Sequence, residues 1–323
     1  MTYSHDVADR IQRGERIDAA AARRLYDEPL AELTAAANGL REVFCGNGFD
    51  ICTIINARSG KCSENCKFCA QSSFYHTGAE EYPMLGTREI VDAAVADASK
   101  GVLRFSIVTS GRKLRPIDVD HICATVRAIH EKTDVNVCAS IGLCTRDQFD
   151  RMKAAGLTRF HCNLETSRRF FPQICTTHTY DQKIESLKAA RAAGLSLCCG
   201  GIMGLGETVE DRIDMAIDIR ELGVRSVPVN FLNPIPGTPF EKNRLLDDEE
   251  RMRIVAVYRF INPEAAIRLA GGRGLIADKG RACFRSGANA VISGDMLTTA
   301  GYSIETDMEM IDELGYKPEL CHD

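Results

Sequence analysis

No apolar run in the 323 residues approaches the roughly 18 that a membrane-spanning helix needs, and the opening stretch MTYSHDVADRIQRGER is polar and mixed in charge. Neither a membrane span nor a secretory signal is expected, and the cytoplasm is the expected location. Lys and Arg form no dense run and the net charge is −5, which argues against a phosphate-backbone partner, so no nucleic acid is expected. No low-complexity tract or Pro/Gly-rich linker divides the chain, which points to one large domain. In a reducing compartment the 14 cysteines are not a disulfide framework; clustered ones bind metal or do redox chemistry, and scattered ones pack as small hydrophobes.

What is present is an ordinary globular balance, 45% hydrophobic and 26% charged, enough to bury a sizeable core. Residues 7–44 read as helices. From Ile51 onward, β-branched or apolar runs at 51–57, 102–108, 134–140, 157–163, 195–201, 226–232, 266–270 and 289–293 alternate with amphipathic helical segments. Alternation of this kind implies a parallel sheet with right-handed crossovers, and eight repeats suggest closure into an α/β, TIM-type (βα)8 barrel. An open doubly wound sheet is the alternative, because periodicity does not itself show closure. The division expected is an N-terminal helical cap over 1–50, the barrel over 51–300 and a short C-terminal tail over 301–323.

GKCSENCKFCAQ follows the first strand, which puts it at the C-terminal mouth where barrel active sites sit. Cys62, Cys66 and Cys69 have C-x3-C-x2-C spacing. A structural zinc site takes four ligands and usually pairs two C-x2-C knuckles, but no second knuckle occurs downstream. Three thiolates can instead hold three irons of a [4Fe–4S] cube and leave one iron open to a substrate or cofactor. The glycines of GGIMGLGE, residues 200–207, lack the G-x-G-x-x-G order, so a dinucleotide fingerprint is not expected.

Side chains alternate along a strand, which sorts each run into two faces. Arg159, His161, Asn163 and Glu165 share one face, against Phe160, Cys162 and Leu164. Asn136, Cys138 and Ser140 share another; so do Ser196 and Cys198, with Cys199 on the packing side. Asn230 lies with Ser226, and Arg268 with Ala266 and Ala270. A buried arginine among apolar neighbours needs an anionic partner.

The three-cysteine loop, with Phe68 just before its third cysteine, resembles that of the radical S-adenosylmethionine superfamily. Within it, CNLETS, CTTHTYDQKIESLKAARAAG, CCGGIMGLGET, SVPVNFLNPIPGTP and IRLAGGRG are similar in order and spacing to the biotin synthase family. The resemblance implies a [4Fe–4S] cluster on Cys62, Cys66 and Cys69, and S-adenosylmethionine held near Phe68, Glu165, Lys183, Gly200, Gly201, Gly204 and Glu207. A solvated helix charge is the alternative for Lys183. Dethiobiotin is implied as substrate, bound by Asn163 and Asn230 with His161 close by, and its sulfur is implied to come from an auxiliary iron–sulfur cluster deeper in the barrel. A flavodoxin or ferredoxin electron donor, iron–sulfur assembly machinery and a homodimer are implied in the same way. Other radical S-adenosylmethionine maturases or mutases, and a non-enzymatic iron–sulfur carrier, are the competing functions.

The chain departs from the better-known family pattern at Ser106, where a third auxiliary cysteine is expected, and a hydroxyl is a poor replacement for a soft thiolate on iron. Cys52, where serine is usual, offers an exchange. The expected auxiliary ligands are Cys52, Cys138 and Cys198, with Arg268 as ligand or counter-charge, on a cluster that is [2Fe–2S] in the better-known form and conceivably a four-iron type here. Cys45 and Cys123 read as helix packing, and Cys144, Cys175, Cys283 and Cys321 have no assigned role.

Overall fold

In the computed structural model, which describes residues 2–321, the apolar runs become nine parallel strands: β1 Gly48–Arg58, β2 Arg104–Thr109, β3 Asn136–Ser140, β4 Arg159–His161, β5 Ser196–Cys198, β6 Gly201–Met203, β7 Ser226–Phe231, β8 Ala266–Leu269 and β9 Ala290–Ser293. β1 pairs with β2 through Cys52 opposite Arg104, and with β9 through Ile51 opposite Val291, so the sheet closes on itself. This excludes the open sheet. β5 and β6 both pair with β7 and form two halves of one stave, giving an eight-stave barrel of the TIM type.

The fifth stave breaks at Cys199 and Gly200 because the chain there runs hard against β7. A Cβ on Gly200 would stand 1.8 Å from the Pro228 carbonyl oxygen, and Cys199 N–H donates to Ser226 O at 3.0 Å. Both faces of the strands are covered, which is why their sequences are near-continuous apolar runs with polar residues confined to the lumen. Thr145, Thr179 and Thr208 each start an outer helix with a reciprocal cap, paired with Gln148, Gln182 and Asp211. These caps fix where the mouth loops end.

At the N-terminus, helices Tyr3–Gln12, Ala19–Tyr26 and Leu30–Cys45 pack on one another and on the outer helices Val209–Glu221 and Asp248–Ile261. Leu33, Ala36, Ala37 and Leu40, spaced three or four apart, form the buried stripe of the third. The segment after residue 300, expected as a tail, is folded. Helix Ile304–Glu313 is pinned by a buried Arg273–Asp307 ion pair at 2.5 Å, and β10 Lys317–Pro318 runs parallel to the start of β1, with Tyr316 packed on Phe49. Those partners are far apart in sequence, so local pattern does not disclose them. No helix among the described residues is long and apolar enough to cross a membrane.

Candidate active site

The three-cysteine loop leaves β1 and folds over the barrel mouth. Gly60 at φ +73° and Lys61 at φ +48° make the turn, and Gly60 packs so close to Glu81 that a Cβ would lie 2.6 Å from its Cγ. Backbone bonds then shape the loop: Cys62 N–H to Gln71 O at 3.0 Å, Cys69 N–H to Cys66 O at 3.0 Å and Ser73 N–H to Cys62 O at 2.9 Å. Cys62, Cys66 and Cys69 are free, half-buried thiols lining a cavity of roughly 400 Å³, together with Phe68. Burial pushes the Cys69 thiol up to about 11, so deprotonation there calls for a cation, which is what a bound metal centre supplies.

Glu165 and Lys183 reach the same cavity from its far wall. Glu165 holds a left-handed backbone, φ +73°, fixed by Ile202 N–H to its carbonyl at 2.9 Å and by its own N–H to Gly200 O at 3.2 Å. Its Oε2 is buried and makes no hydrogen bond among the described residues, leaving an acceptor suited to a ligand's hydroxyls. Burial raises the Glu165 carboxyl, with Lys183 opposing. Lys183 is not a solvated helix charge: its side chain is 11% exposed, and Nζ donates to Asn163 O at 2.8 Å and lies 3.9 Å from Glu165 Oε1.

The glycine turn differs from expectation. Gly200 and Gly201 answer to backbone packing, since a Cβ on Gly201 would lie 2.6 Å from Glu165 O. Gly204 and Glu207 do not line the cavity; Glu207 Oε1 accepts Gly204 N–H at 2.9 Å and Arg212 Nε at 2.7 Å, bracing the turn from behind. Cys162 is buried in the apolar layer as alternation predicts, though its edge also reaches the cavity.

Below the cavity floor lies a buried charged tier. Asp50 faces Arg268 at 2.9 Å, Arg104 at 2.9 Å and Arg159 at 3.9 Å, all four residues being at most 2% exposed. Three guanidiniums and one carboxylate thus line the floor, and buried charges of this kind persist only where they are paired. Burial raises the Asp50 carboxyl, but the three arginines outweigh it and hold the group down to about 2. Two residues further along β1, β3 and β5 stand Cys52, Cys138 and Cys198, all buried and mutually close enough to perturb one another's ionisation. Burial pushes Cys52 and Cys138 up. Cys198 is opposed by burial yet brought down to about 6 by His161, Arg268 and Arg159. Ser106 stands among them on β2, its buried Oγ without a hydrogen-bond partner among the described residues. Soft thiols and a buried hydroxyl over an arginine-lined floor fit an iron–sulfur centre.

Residues 57–219 match the Radical SAM superfamily, and residues 228–317 match the Biotin and Thiamin Synthesis associated domain. The chain is 57% identical over 318 residues to a biotin synthase of Brachyspira hyodysenteriae, covering 98% of this chain and 96% of that one. It is 54% identical over 320 residues to a biotin synthase of Akkermansia muciniphila, covering 99% and 100%. The chain belongs to the biotin synthase family. Its function is that of this family, sulfur insertion by a radical S-adenosylmethionine enzyme using a [4Fe–4S] cluster and S-adenosylmethionine. Among solved structures, methylornithine synthase superposes with TM-score 0.84 at 18% identity over 97% of both chains, and a maturase of the [FeFe]-hydrogenase with TM-score 0.85 at 17% identity over 99% of this chain and 76% of the other. At those identities the likeness is one of fold. The boundary between the two family matches, near residues 219–228, falls inside the closed barrel.

In this biotin synthase family chain one cluster escaped sequence reasoning. Cys175 and His178, beyond β4, meet Cys66 of the loop, their ligand atoms all within 4.8 Å of one another. Asn65 ties the two segments, accepting Thr176 N–H at 2.9 Å, and Glu64 Oε2 pairs with His178 Nδ1 at 2.5 Å. The hydrogen bond with Cys66 lowers the Cys175 thiol against its burial, and the same bond raises Cys66. The signal available was the C-x2-H spacing of CTTH, uninformative until the fold sets it beside the loop. Asp50, Arg104 and Arg159 were legible in part, since each lies two residues before a lumen position already sorted inward.

Proposed function

We propose that the chain converts dethiobiotin to biotin with two iron–sulfur centres in one barrel, a [4Fe–4S] cluster on Cys62, Cys66 and Cys69 at the mouth and an auxiliary cluster on Cys52, Cys138 and Cys198 beneath it. The observation that carries this reading is the set of three inward thiols over the Asp50 and arginine tier, directly below the cavity that the loop thiols line. When bound, the mouth cluster and S-adenosylmethionine supply the 5′-deoxyadenosyl radical chemistry, and the auxiliary cluster supplies the sulfur.

The chain's own groups position and shield. The orphan Glu165 Oε2 accepts the ribose hydroxyls, Lys183 opposes the methionine carboxylate, and Phe68 keeps water from the loop thiols. Gly200, Gly201, Gly204 and Glu207 act on S-adenosylmethionine through the shape of the turn that carries Glu165. Asn163 and Asn230 line the cavity between the two centres, where amide donors and acceptors suit a ureido ring. Arg268 serves as counter-charge, because Nη1 already donates to Val291 O at 2.7 Å and Asp50 O at 3.0 Å. With Ser106 in place of a thiol, Cys52 is the third soft ligand. The altered cage suits a four-iron auxiliary cluster in place of the [2Fe–2S] form. A flavodoxin or ferredoxin donor, cluster delivery by iron–sulfur assembly machinery, a homodimeric state and a cytoplasmic location complete the reading, supported by family membership.

Mössbauer spectra of anaerobically reconstituted protein test it. Iron beyond the mouth cluster is expected in the wild type and lost in Cys52→Ala; absence of such iron in the wild type would sink the auxiliary centre, and unchanged spectra in Cys52→Ala would sink the part played by Cys52.

A further inference from the structure

Two residues past the charged tier, the first five staves present a continuous run of lumen-facing groups: Cys52 on β1, Ser106 on β2, Cys138 on β3, His161 on β4 and Cys198 on β5. His161 is the one imidazole among them. Its strand lies between those carrying Cys138 and Cys198, and register sets it directly opposite Cys198. The ring and the Cys198 thiol are within hydrogen-bonding reach.

The tautomer of His161 follows from a neighbour. Gly200 N–H donates to Asn163 Oδ1 at 3.1 Å, which identifies that atom as the amide oxygen. His161 Nε2 lies 2.9 Å from the same oxygen, so Nε2 is the donor and carries the hydrogen. In the neutral ring Nδ1 then keeps its lone pair. Metal-bound histidines are oriented in this way, with the remote N–H donated to a carbonyl and the other nitrogen bare. Arg268 does not fill this role, because its guanidinium is bound to Asp50 and to two backbone carbonyls and has no free lone pair. Ser106 offers only a hydroxyl.

We infer that His161, through Nδ1, is a fourth protein ligand of the auxiliary iron–sulfur cluster, making a three-cysteine, one-histidine site in which Asn163 is the orienting residue. This rests on the auxiliary-centre reading above. It moves His161 from the substrate side of the site to the metal side. Binding iron releases to solvent the protons carried by Cys52, by Cys138 and by the Cys198–His161 pair, leaving three thiolates and a neutral imidazole with the Nδ1 lone pair on the metal. A neutral imidazole in place of a thiolate also makes the cluster less negative and raises its reduction potential relative to an all-cysteine cage.

The test uses reconstituted holoenzyme with histidine labelled by nitrogen-15, reduced by one electron and read by pulsed electron paramagnetic resonance alongside Mössbauer spectra. A strongly coupled histidine nitrogen is expected in the wild type, lost in His161→Asn and retained in His178→Asn, the second variant excluding the histidine beside the mouth loop. Auxiliary iron without a coupled histidine nitrogen, or coupling that survives His161→Asn, would overturn the ligand and leave the auxiliary centre standing. A wild type with no auxiliary iron would overturn both. Where His161→Asn fails to fold, His161→Cys takes its place: auxiliary iron retained, nitrogen coupling gone and potential shifted negative support the ligand, whereas an unmoved potential contradicts it.

Discussion

The Arg268 guanidinium lies 2.9 Å from the Asp50 carboxylate in a part of the barrel that solvent does not reach. Arg104 and Arg159 face the same carboxylate, at 2.9 and 3.9 Å, so removing its charge breaks a buried ion-pair tier. Asp50→Asn is expected to destabilise the fold by about 3–5 kcal/mol, read as a shift in the urea midpoint. Arg268→Lys retains a positive charge there and is expected to keep auxiliary iron, whereas loss of that iron in the lysine variant would argue that Arg268 binds the metal.

The same group sets an acid limit. Asp50 is held down to about 2 in the folded chain, against roughly 3.9 when unfolded. A depressed folded value means that its contribution is fully present above the unfolded value and lost as pH falls through the folded one. Urea unfolding of wild type and Asp50→Asn at a series of pH values is expected to show a constant gap near neutrality that narrows between about pH 4 and pH 2.

Lys183 is buried beside Glu165, with Nζ committed to Asn163 O. Lys183→Met retains the stem and removes the charge, so an anionic group on the ligand loses a charge-assisted partner worth roughly 1.5–3 kcal/mol. The KM for S-adenosylmethionine is expected to rise ~10–100-fold, with iron content unchanged. An unaltered KM would return the residue to a purely structural role.

Gly200 tests why the fifth stave is broken. Its missing Cβ would sit 1.8 Å from Pro228 O, and that carbonyl belongs to a strand that cannot retreat without opening the barrel. Gly200→Ala is expected to lower stability by at least ~1–3 kcal/mol and to disturb Glu165, whose N–H donates to Gly200 O. Thermal unfolding followed by circular dichroism measures the first effect. Retention of wild-type stability would mean that the turn is looser than described.

Much of this was legible because parallel strands buried on both faces are written as apolar runs, and because a two-residue period sorts lumen from wall. Arg159, His161, Cys138 and Cys198 fell on the correct face from alternation alone. The break between Cys198 and Gly201 was not legible, since it arises from β7 pressing on Gly200. Nor was the Cys66, Cys175 and His178 cluster, whose members are more than a hundred residues apart in part. Gly204 and Glu207 do not line the cavity, and sequence does not separate a glycine required by a positive φ, as at Gly204 with φ +99°, from one required by a ligand. The C-terminal helix looked like a tail because its anchors, among them Arg273 to Asp307 and Tyr316 on Phe49, join residues far apart in sequence.

Isotopic tracing of the inserted sulfur tests the two-centre account most directly. Protein reconstituted with heavy-isotope sulfide is incubated with dethiobiotin, S-adenosylmethionine and reductant, and the biotin of the first turnover is weighed by mass spectrometry. Biotin carrying the heavy sulfur from the wild type, and none from Cys52→Ala, is the predicted result; first-turnover biotin with unlabelled sulfur would contradict it.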